Sequence, residues 1–496
     1  MSRAILALAL LLTPPASAAP KQDPAPRPPA SPPPSSQASQ ARYRSVKIDG
    51  VPFVRQKPDF CGEACVEMGL RKLGHRLSQD DFFALSRVDP ALGRGVLAKE
   101  LARGLRRIGL DPGAVWYRVP RRQPAPELER QFRQLHADLL AGVPSIVCTH
   151  YDRSPGTTQH FRLVLGYDSK TDEVIYHEPA EDNGRHRRMP RREMMAIWPL
   201  RYRAAHDIVI RMPLRPKKVQ IPPRPRARHT AADYAQHVMK LQPTFRRLRG
   251  RFSVVVEPPF VVAGTISRRD MRATAEGLIR WSVAELKQRY FARDPKQIIT
   301  IWLFDHRTYE TNALRLTGRR AGTPFGFYSP SHRALIMNIR TGGGTLVHEI
   351  VHPFMEANFP DCPPWFNEGM GSLYEGVGRR NHRIWGYINW RLPGLQRAIR
   401  RKQVLPPFAA LMRQNETQFY EQDPGTNYSQ SRYLVYYLQD RGQLRTYYHQ
   451  FVKNHRADPT GYKTLQQQLG VRDMAAFQRE WERYVLKLKY TRPAVK

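Results

Sequence analysis

The stretch that decides the fold of this chain is His348-Glu349-Ile350-Val351-His352. One helical turn separates the two histidines, so both imidazoles project from one face of a helix and can bind a single metal ion. Glu349 stands between them, where it can take a proton from the attacking water rather than bind the ion. The spacing predicts a catalytic zinc centre on an active-site helix.

A third ligand follows in the segment Trp-Phe-Asn-Glu-Gly at residues 365–369. Glu368 is predicted to come from a second helix as a carboxylate ligand, leaving the fourth tetrahedral position to water or substrate. Upstream, the apolar segment 334–339 and the glycines at 342–344 predict an edge strand, a tight turn and the active-site helix. The alternative is an ordinary amphipathic helix whose histidines are satisfied by hydrogen bonds.

Residues 250–490 resemble the gluzincin metallopeptidases, in particular the peptidase MA-like family. That family follows its His-Glu-x-x-His with a short loop and a Pro-Trp segment ending in Glu-Gly, as residues 364–369 do. The resemblance implies that His348, His352 and Glu368 bind Zn²⁺ and that Glu349 is the general base.

Two further expectations concern the neighbourhood of this motif. A later tyrosine often polarises the substrate carbonyl in gluzincins, and Tyr428 is the candidate here, with a core position as the alternative. Pro353 directly follows the second histidine and cannot donate to the carbonyl of Glu349, so we expect a kink or an early end of the helix there.

A second candidate site begins at Cys61-Gly62-Glu63-Ala64-Cys65, where a helical pattern starts. A cysteine at a helix N-terminus is favoured as thiolate, the nucleophilic form. Gln56 could donate to an oxyanion, His160 opens an apolar strand and could act as base, and Glu178 could orient the imidazole from a neighbouring strand end. The alternative is that both cysteines are small buried hydrophobes and that His160 is a satisfied strand-end histidine.

These residues, within about 43–200, resemble the papain-like cysteine peptidases that remove double-glycine leaders from bacteriocins. The resemblance implies that Cys61 is the nucleophile, His160 the base, Glu178 the orienting residue and Gln56 the oxyanion donor. The family usually has Asp-Pro-Ala where this chain has Glu178-Pro179-Ala180, so the carboxylate is kept on a longer side chain.

The chain organisation predicts two domains, and the two resemblances imply an α+β protein with a papain-like fold followed by a zincin-like fold. Residues 1–18 have the charged start, apolar run and small-residue end of a cleaved signal peptide, which predicts a secreted, periplasmic or cell-envelope protein. A Pro-rich disordered segment is predicted at 19–42 and a basic Pro-rich linker at 214–229. They bound domains at 43–213 and 230–492 that we expect to share no core.

The charge is strongly basic, with 80 Lys and Arg against 43 Asp and Glu and a net charge of +37. No nucleic-acid-binding motif accompanies it, so a solvated basic surface is favoured over specific nucleic-acid binding. Attraction to anionic cell-envelope polymers agrees with the same charge. Four cysteines are too few for a disulfide scaffold, and no segment after the signal has the roughly 20 apolar residues of a transmembrane helix.

Together these features predict a secreted peptidase that hydrolyses a peptide or protein substrate by a zinc-activated water and carries a second, cysteine-dependent site. The alternative is a cell-envelope binding or scaffolding protein built from inactive peptidase-like domains. Complete sets of catalytic residue types argue against that alternative, because a retired site has no chemical need for Glu349 or Cys61.

Overall fold

The computed structural model describes residues 43–491 except 203–204, 224–226, 402–404 and 423. The predicted signal peptide at 1–18 and the Pro-rich segment at 19–42 lie outside the described residues. Among the described residues, no helix combines the length and the apolarity needed to cross a membrane.

Short apolar and β-branched runs form the antiparallel sheet of the N-terminal domain. The strands are β1 (Val46–Lys47), β2 (Leu110–Asp111), β3 (Trp116–Pro120), β4 (Ser145–His150), β5 (Gln159–Asp168), β6 (Glu173–His177), β7 (Arg187–Pro190), β8 (His206–Pro213) and β9 (Arg215–Pro216). Their order is β3-β8-β4-β5-β6-β7, with β1 paired to β5 and with β2 and β9 in a separate ladder. Strand β5 is buried except at its two end residues, Gln159 and Asp168. Its second residue, His160, is buried and is therefore held in place by its neighbours.

Helices cover this sheet, namely α1 (Cys61–Lys72), α2 (Gln79–Ser86), α3 (Ala98–Arg107), α4 (Ala125–Leu140) and α5 (Arg191–Ile197). Helix α1 packs directly on β5, because Gly62 leaves room for the ring of Phe161. A Cβ atom at Gly62 would lie 3.2 Å from Phe161 Cδ2. The packing therefore brings the first turn of α1 to the start of β5.

Apolar strands also form a mixed sheet in the second domain, comprising β10 (Ser253–Glu257), β11 (Phe260–Gly264), β12 (Ile299–Phe304), β13 (Gly326–Ser329) and β14 (Ala334–Asn338). Their order is β10-β11-β12-β14-β13, with parallel pairing of β11, β12 and β14. Side chains alternate between the two faces, so that Ile301 and Leu303 enter one core and Trp302 and Phe304 the other.

The apolar runs at 252–256, 260–263 and 298–304 of the sequence form β10, β11 and β12, each within about one residue of these bounds. The prediction that 334–339 is an edge strand is wrong, because β13 pairs with the outer side of β14. All five residues of β14 are buried, as an inner strand requires.

The second domain is otherwise helical: α6 (Ala231–Arg247), α7 (Arg268–Thr274), α8 (Trp281–Arg289), α9 (Tyr309–Thr317), α10 (Gly343–Asn358), α11 (Pro364–Leu373), α12 (Leu392–Arg400), α13 (Phe408–Arg413), α14 (Glu416–Glu421), α15 (Pro424–Asp440), α16 (Leu444–Asn454), α17 (Tyr462–Leu469) and α18 (Met474–Lys487). A hairpin of β15 (Val377–Arg380) and β16 (Arg383–Gly386) follows α11. The expected early end at Pro353 does not occur, since α10 continues to Asn358.

Helix α6 belongs to both domains. Ala232 and Ala235 lie in the core of the N-terminal domain, whereas Tyr234 and Val238 pack with Val261 of the second sheet. The expectation that the domains share no core is therefore wrong.

The predicted linker at 214–229 also packs in part on the N-terminal domain. Leu214 is buried and its N–H donates to the carbonyl of Pro144 at 2.9 Å. The N–H of Lys217 donates to the carbonyl of Gly109 at 3.0 Å. Proline content alone thus predicts this segment poorly, because backbone hydrogen bonds around its prolines still fix it.

Candidate active sites

The two histidines of α10 face a carboxylate from α11. The imidazole rings of His348 and His352 lie 4.9 Å apart between centroids. Glu368 Oε2 is 3.3 Å from His348 Nε2, and Glu368 Oε1 is 3.9 Å from His352 Nε2. Ligand atoms around a tetrahedral zinc ion with bonds of about 2.0–2.2 Å lie roughly 3.3–3.6 Å apart, so these three side chains fit one ion with small adjustments.

Distance alone would group a different carboxylate with the histidines. Ligand atoms of His348, Glu349 and His352 all lie within 4.8 Å of one another. Glu349 Oε2, however, accepts a hydrogen bond of 2.8 Å from the backbone N–H of Tyr328 in β13. Glu368 Oε2 is buried and makes no hydrogen bond to any described residue, so it is the oxygen that a cation would satisfy.

Each histidine is held from behind by a polar side chain. Asn367 Oδ1 accepts from His352 Nδ1–H at 3.0 Å, and Glu375 Oε1 lies 3.3 Å from His348 Nδ1. Both contacts leave Nε2 directed into the site, which is the arrangement that orients metal-binding imidazoles in proteins.

Glu375 is in turn fixed by Arg391, whose Nε and Nη2 donate to its two oxygens at 2.8 and 2.7 Å. Burial raises the pKa of Glu375, but the hydrogen bonds from Arg391 and His348 outweigh it and lower the pKa to about 2. Burial also raises the pKa of Glu368, and the charges of His352 and His348 bring it down to about 2. Both carboxylates are therefore ionised at neutral pH.

Substitution of Glu375 by Gln is expected to weaken zinc binding by about 10–100-fold, because the carboxylate that orients His348 loses its charge. Competition with a calibrated chelator measures the change. Glu310→Gln, an exposed carboxyl on α9, serves as the control and should bind zinc like the wild type. An unchanged zinc affinity in Glu375→Gln would remove Glu375 from the site.

Two tyrosines lie at the entrance to this site. The hydroxyl of Tyr420 donates to Glu368 Oε1 at 2.7 Å. Tyr428, the residue proposed from the sequence, lines the same cleft, and its ring lies 6.2 Å from that of Tyr420. The role of Tyr428 stays a prediction. Sequence reasoning missed Tyr420, because nothing in the pattern around it marks it as a neighbour of the motif.

The site opens into a cleft of about 1080 Å³. One wall is formed by Phe325 and the β13 residues Gly326 to Tyr328, which line the cleft together with α10 and the loop before α12. The backbone N–H of Tyr328 in β13 donates a hydrogen bond to Glu349 and so connects this wall to the motif. A volume of this size is typical of a ligand-binding cleft.

The second candidate site lies where α1 meets β5. Cys61 is the first residue of α1, and its thiol lies against the backbone of Phe161, next to His160. His160 Nε2–H donates to Glu178 Oε1, and Arg162 Nε donates to Glu178 Oε2 at 2.7 Å. The fold thus pairs the predicted histidine with the predicted carboxylate and brings the predicted cysteine to the residue that follows this histidine on β5.

Gln56 reaches the same place through its backbone. Its N–H donates to the carbonyl of Pro179 at 2.9 Å, directly after Glu178, and its buried Oε1 makes no hydrogen bond to a described residue. Arg162 was missed in the sequence, although its position two residues after His160 on one strand puts both side chains on the same face. It supplies the positive charge that a buried glutamate needs.

The expected thiolate is not what this environment favours. Burial, with a smaller contribution from the carboxylates of Glu63 and Asp59, raises the pKa of the Cys61 thiol to about 12. Hydrogen bonds from the backbone at Phe161 and Gly62 oppose these effects without overcoming them. The helix N-terminus alone therefore does not decide the state of this thiol.

Glu63, one half-turn after Cys61, was also missed. Its Oε1 accepts from the N–H of Val96 at 2.9 Å, while its Oε2 is buried and makes no hydrogen bond to a described residue. Burial raises the pKa of Glu63 to about 8. A folded-state pKa above the unfolded value means that Glu63 destabilises the fold progressively as pH rises from about 4.5 to about 8.

Replacement of Glu63 by Gln is expected to remove the loss of folding stability that Glu63 causes as pH rises. The free energy of unfolding of the variant relative to the wild type should rise by roughly 2–4 kcal/mol between pH 5 and pH 8. Urea unfolding at a series of pH values measures it. The exposed Glu276→Gln should follow the wild type at every pH. Parallel curves for Glu63→Gln and the wild type would show that Glu63 is already ionised in the fold.

The N-terminal region is similar to known proteins. Residues 48–206 match the Peptidase_C39 like family. A crystal structure of xylellain, a cysteine protease from Xylella fastidiosa, is similar at 12% identity, with 38% of this chain and 91% of that chain covered and a TM-score of 0.25. No curated protein matches. The matched region contains Cys61, His160 and Glu178 and is thus similar to the Peptidase_C39 like family.

Proposed function

We propose that this chain is an exported peptidase with a zinc-dependent site in the second domain and a cysteine-dependent site in the first. The observation that supports the zinc site is the buried Oε2 of Glu368, which faces His348 Nε2 at 3.3 Å and lacks a hydrogen bond to the described residues. An ionised, buried carboxylate beside two imidazoles is the donor set of a catalytic zinc site.

In the zinc-dependent reaction, His348, His352 and Glu368 would hold the ion, which when bound polarises the scissile carbonyl and makes water more acidic. Glu349 takes the proton of the attacking water, because the N–H of Tyr328 fixes its carboxylate and burial raises its pKa towards the range of a general base. Protonated Glu349 then gives that proton to the leaving amine.

In the cysteine-dependent reaction, the histidine must use its other nitrogen. Glu178 occupies Nε2 of His160, so Nδ1 is the atom that takes the thiol proton of Cys61. The resulting thiolate attacks the peptide carbonyl, a thioester forms as the C–N bond breaks, and the amine leaves with the proton from His160. Water, which gives a proton to His160, then hydrolyses the thioester and frees the sulfur of Cys61. Gln56 would donate to the oxyanion through its side-chain amide.

Metal analysis and hydrolysis of a peptide library by the purified mature protein test this function. We expect one zinc ion per chain and hydrolysis that falls on chelation and returns when zinc is restored. Hydrolysis that persists under chelation and disappears on alkylation would leave the cysteine site as the active one. Hydrolysis that persists under both chelation and alkylation would contradict the proposal.

Export and the basic surface are part of the same proposal. Cleavage after Ala18 would give a mature chain that begins at or near Ala19, and N-terminal sequencing of protein recovered from the culture or envelope fraction tests it. An intact Met1 would contradict cleavage. The net charge of +37 favours retention on anionic cell-envelope polymers, which salt should reverse.

A further inference from the structure

The metal-binding cleft contains one arginine whose contacts leave part of its guanidinium free. Nε and Nη2 of Arg391 donate to Glu375, while Nη1 makes no hydrogen bond to a described residue. The side chain is 14% exposed and lines the cleft. A guanidinium presents five donors, so the bond to one carboxylate leaves donors for a second partner.

Aromatic rings fix the guanidinium in place. Its Cζ lies 4.3 Å from the ring centroid of Trp390 and 4.9 Å from that of Tyr428. The loop is anchored as well, because the N–H of Arg391 donates to Asn389 Oδ1 at 3.1 Å. An arginine held by a carboxylate and two rings is pre-organised, so little conformational entropy is lost when it binds a partner.

Among the described Asp, Glu, Lys and Arg side chains that line the cleft, all except Arg391 are glutamates. Arg391 is the one Arg or Lys among the described residues that line the cleft, whereas Glu356 and Glu416 add negative charge at positions away from the motif. Apart from the proposed zinc position, Arg391 is therefore the place among the described lining residues that attracts an anionic group of a bound peptide. Glu375 alone separates Arg391 from His348, with contacts of 2.7 and 3.3 Å.

We infer that Arg391 is a substrate-binding residue that receives a carboxylate of the peptide close to the scissile bond. This inference rests on the proposed zinc-dependent function and defines its substrate class. The carboxylate is either the C-terminus of the peptide or an acidic side chain, and both would form the same charge-assisted hydrogen bonds with the free donors.

Three acetylated tetrapeptides distinguish these sources. Two have the same sequence and end in a free carboxylate or in an amide. The third ends in an amide and differs only in having Glu at the last position. Binding is measured by calorimetry on the zinc-loaded Glu349→Gln protein, and kcat/KM on the wild type. We expect at least one carboxylate peptide to be preferred over the plain amide by about tenfold or more, since hydrogen bonds between charged groups have about this strength. Preference for the free acid identifies the C-terminus, and preference for the Glu amide identifies a side chain.

Arg391→Gln and Arg391→Lys should reduce that preference to about twofold or less. The Lys variant keeps a positive charge beside Glu375, so it separates loss of recognition from damage to the site. Arg380→Gln is the matched control, because Arg380 also stacks on a tryptophan, Trp385, at 4.7 Å but does not line the cleft. It should keep the full preference.

Equal binding of all three peptides, or a preference that survives in both Arg391 variants, would overturn the inference and leave Arg391 as the partner of Glu375 alone. Failure of the zinc site itself has a different signature. In that case the Glu349→Gln protein holds no zinc at the start of the titration.

Discussion

Glu349→Gln is expected to keep its zinc and to lose peptide hydrolysis by about 10²–10⁴-fold, the contribution typical of a positioned general base. The amide oxygen can still accept the hydrogen bond from the N–H of Tyr328, so the local structure should survive. An amide cannot take a proton from water at neutral pH. The measurement is the zinc content together with kcat on the best library peptide.

The neighbouring histidines give the matching contrast. His348→Ala should lose both zinc and hydrolysis, because it removes a ligand atom rather than a base. Glu310→Gln should retain both. Substantial hydrolysis by zinc-loaded Glu349→Gln would contradict the assigned role and would direct attention to another proton acceptor in the cleft.

Cys61→Ala is expected to abolish whatever hydrolysis remains when the zinc site is inactive, by about 10³-fold or more. The assay uses the Glu349→Gln background with a chelator, so that only the thiol-dependent reaction is observed. Alanine removes the nucleophilic sulfur without adding bulk between α1 and β5.

Cys65→Ala is the control for this experiment, because Cys65 lies one turn further along α1 and is fully buried. It should lose some stability through the smaller side chain and keep the reaction. Equal rates for Cys61→Ala and its parent would mean that the first domain binds peptides without cleaving them.

The sequence predicts those parts of the site that are fixed by local geometry. A spacing of four residues on a helix brings His348 and His352 to one face whatever the tertiary structure. Cys61 at a helix N-terminus and His160 at a strand start could be identified in the same way. Strands β10, β11 and β12 were also predictable, since their apolar runs are bounded by turn residues.

The remaining parts depend on packing between distant segments. Glu375 reaches His348 from a short 3₁₀ turn, and Tyr420 reaches Glu368 from a separate helix. Arg391 contacts Glu375 from a loop, and no periodicity relates the three residues. The pKa of Cys61 depends on how tightly α1 packs on β5. The inner position of β14 was missed because its partner β13 is a short strand with little apolar pattern.

Helix α6 couples the thermal unfolding of the two domains. Its alanines lie in one core and Tyr234 and Val238 in the other, and Gln236 Nε2 donates to the carbonyl of Pro58 at 2.9 Å, just before Cys61. Neither domain can unfold without exposing surface of this helix. We therefore expect a single calorimetric transition rather than two. Zinc bound to the second domain should raise the temperature at which the first domain loses structure, although no zinc ligand lies there.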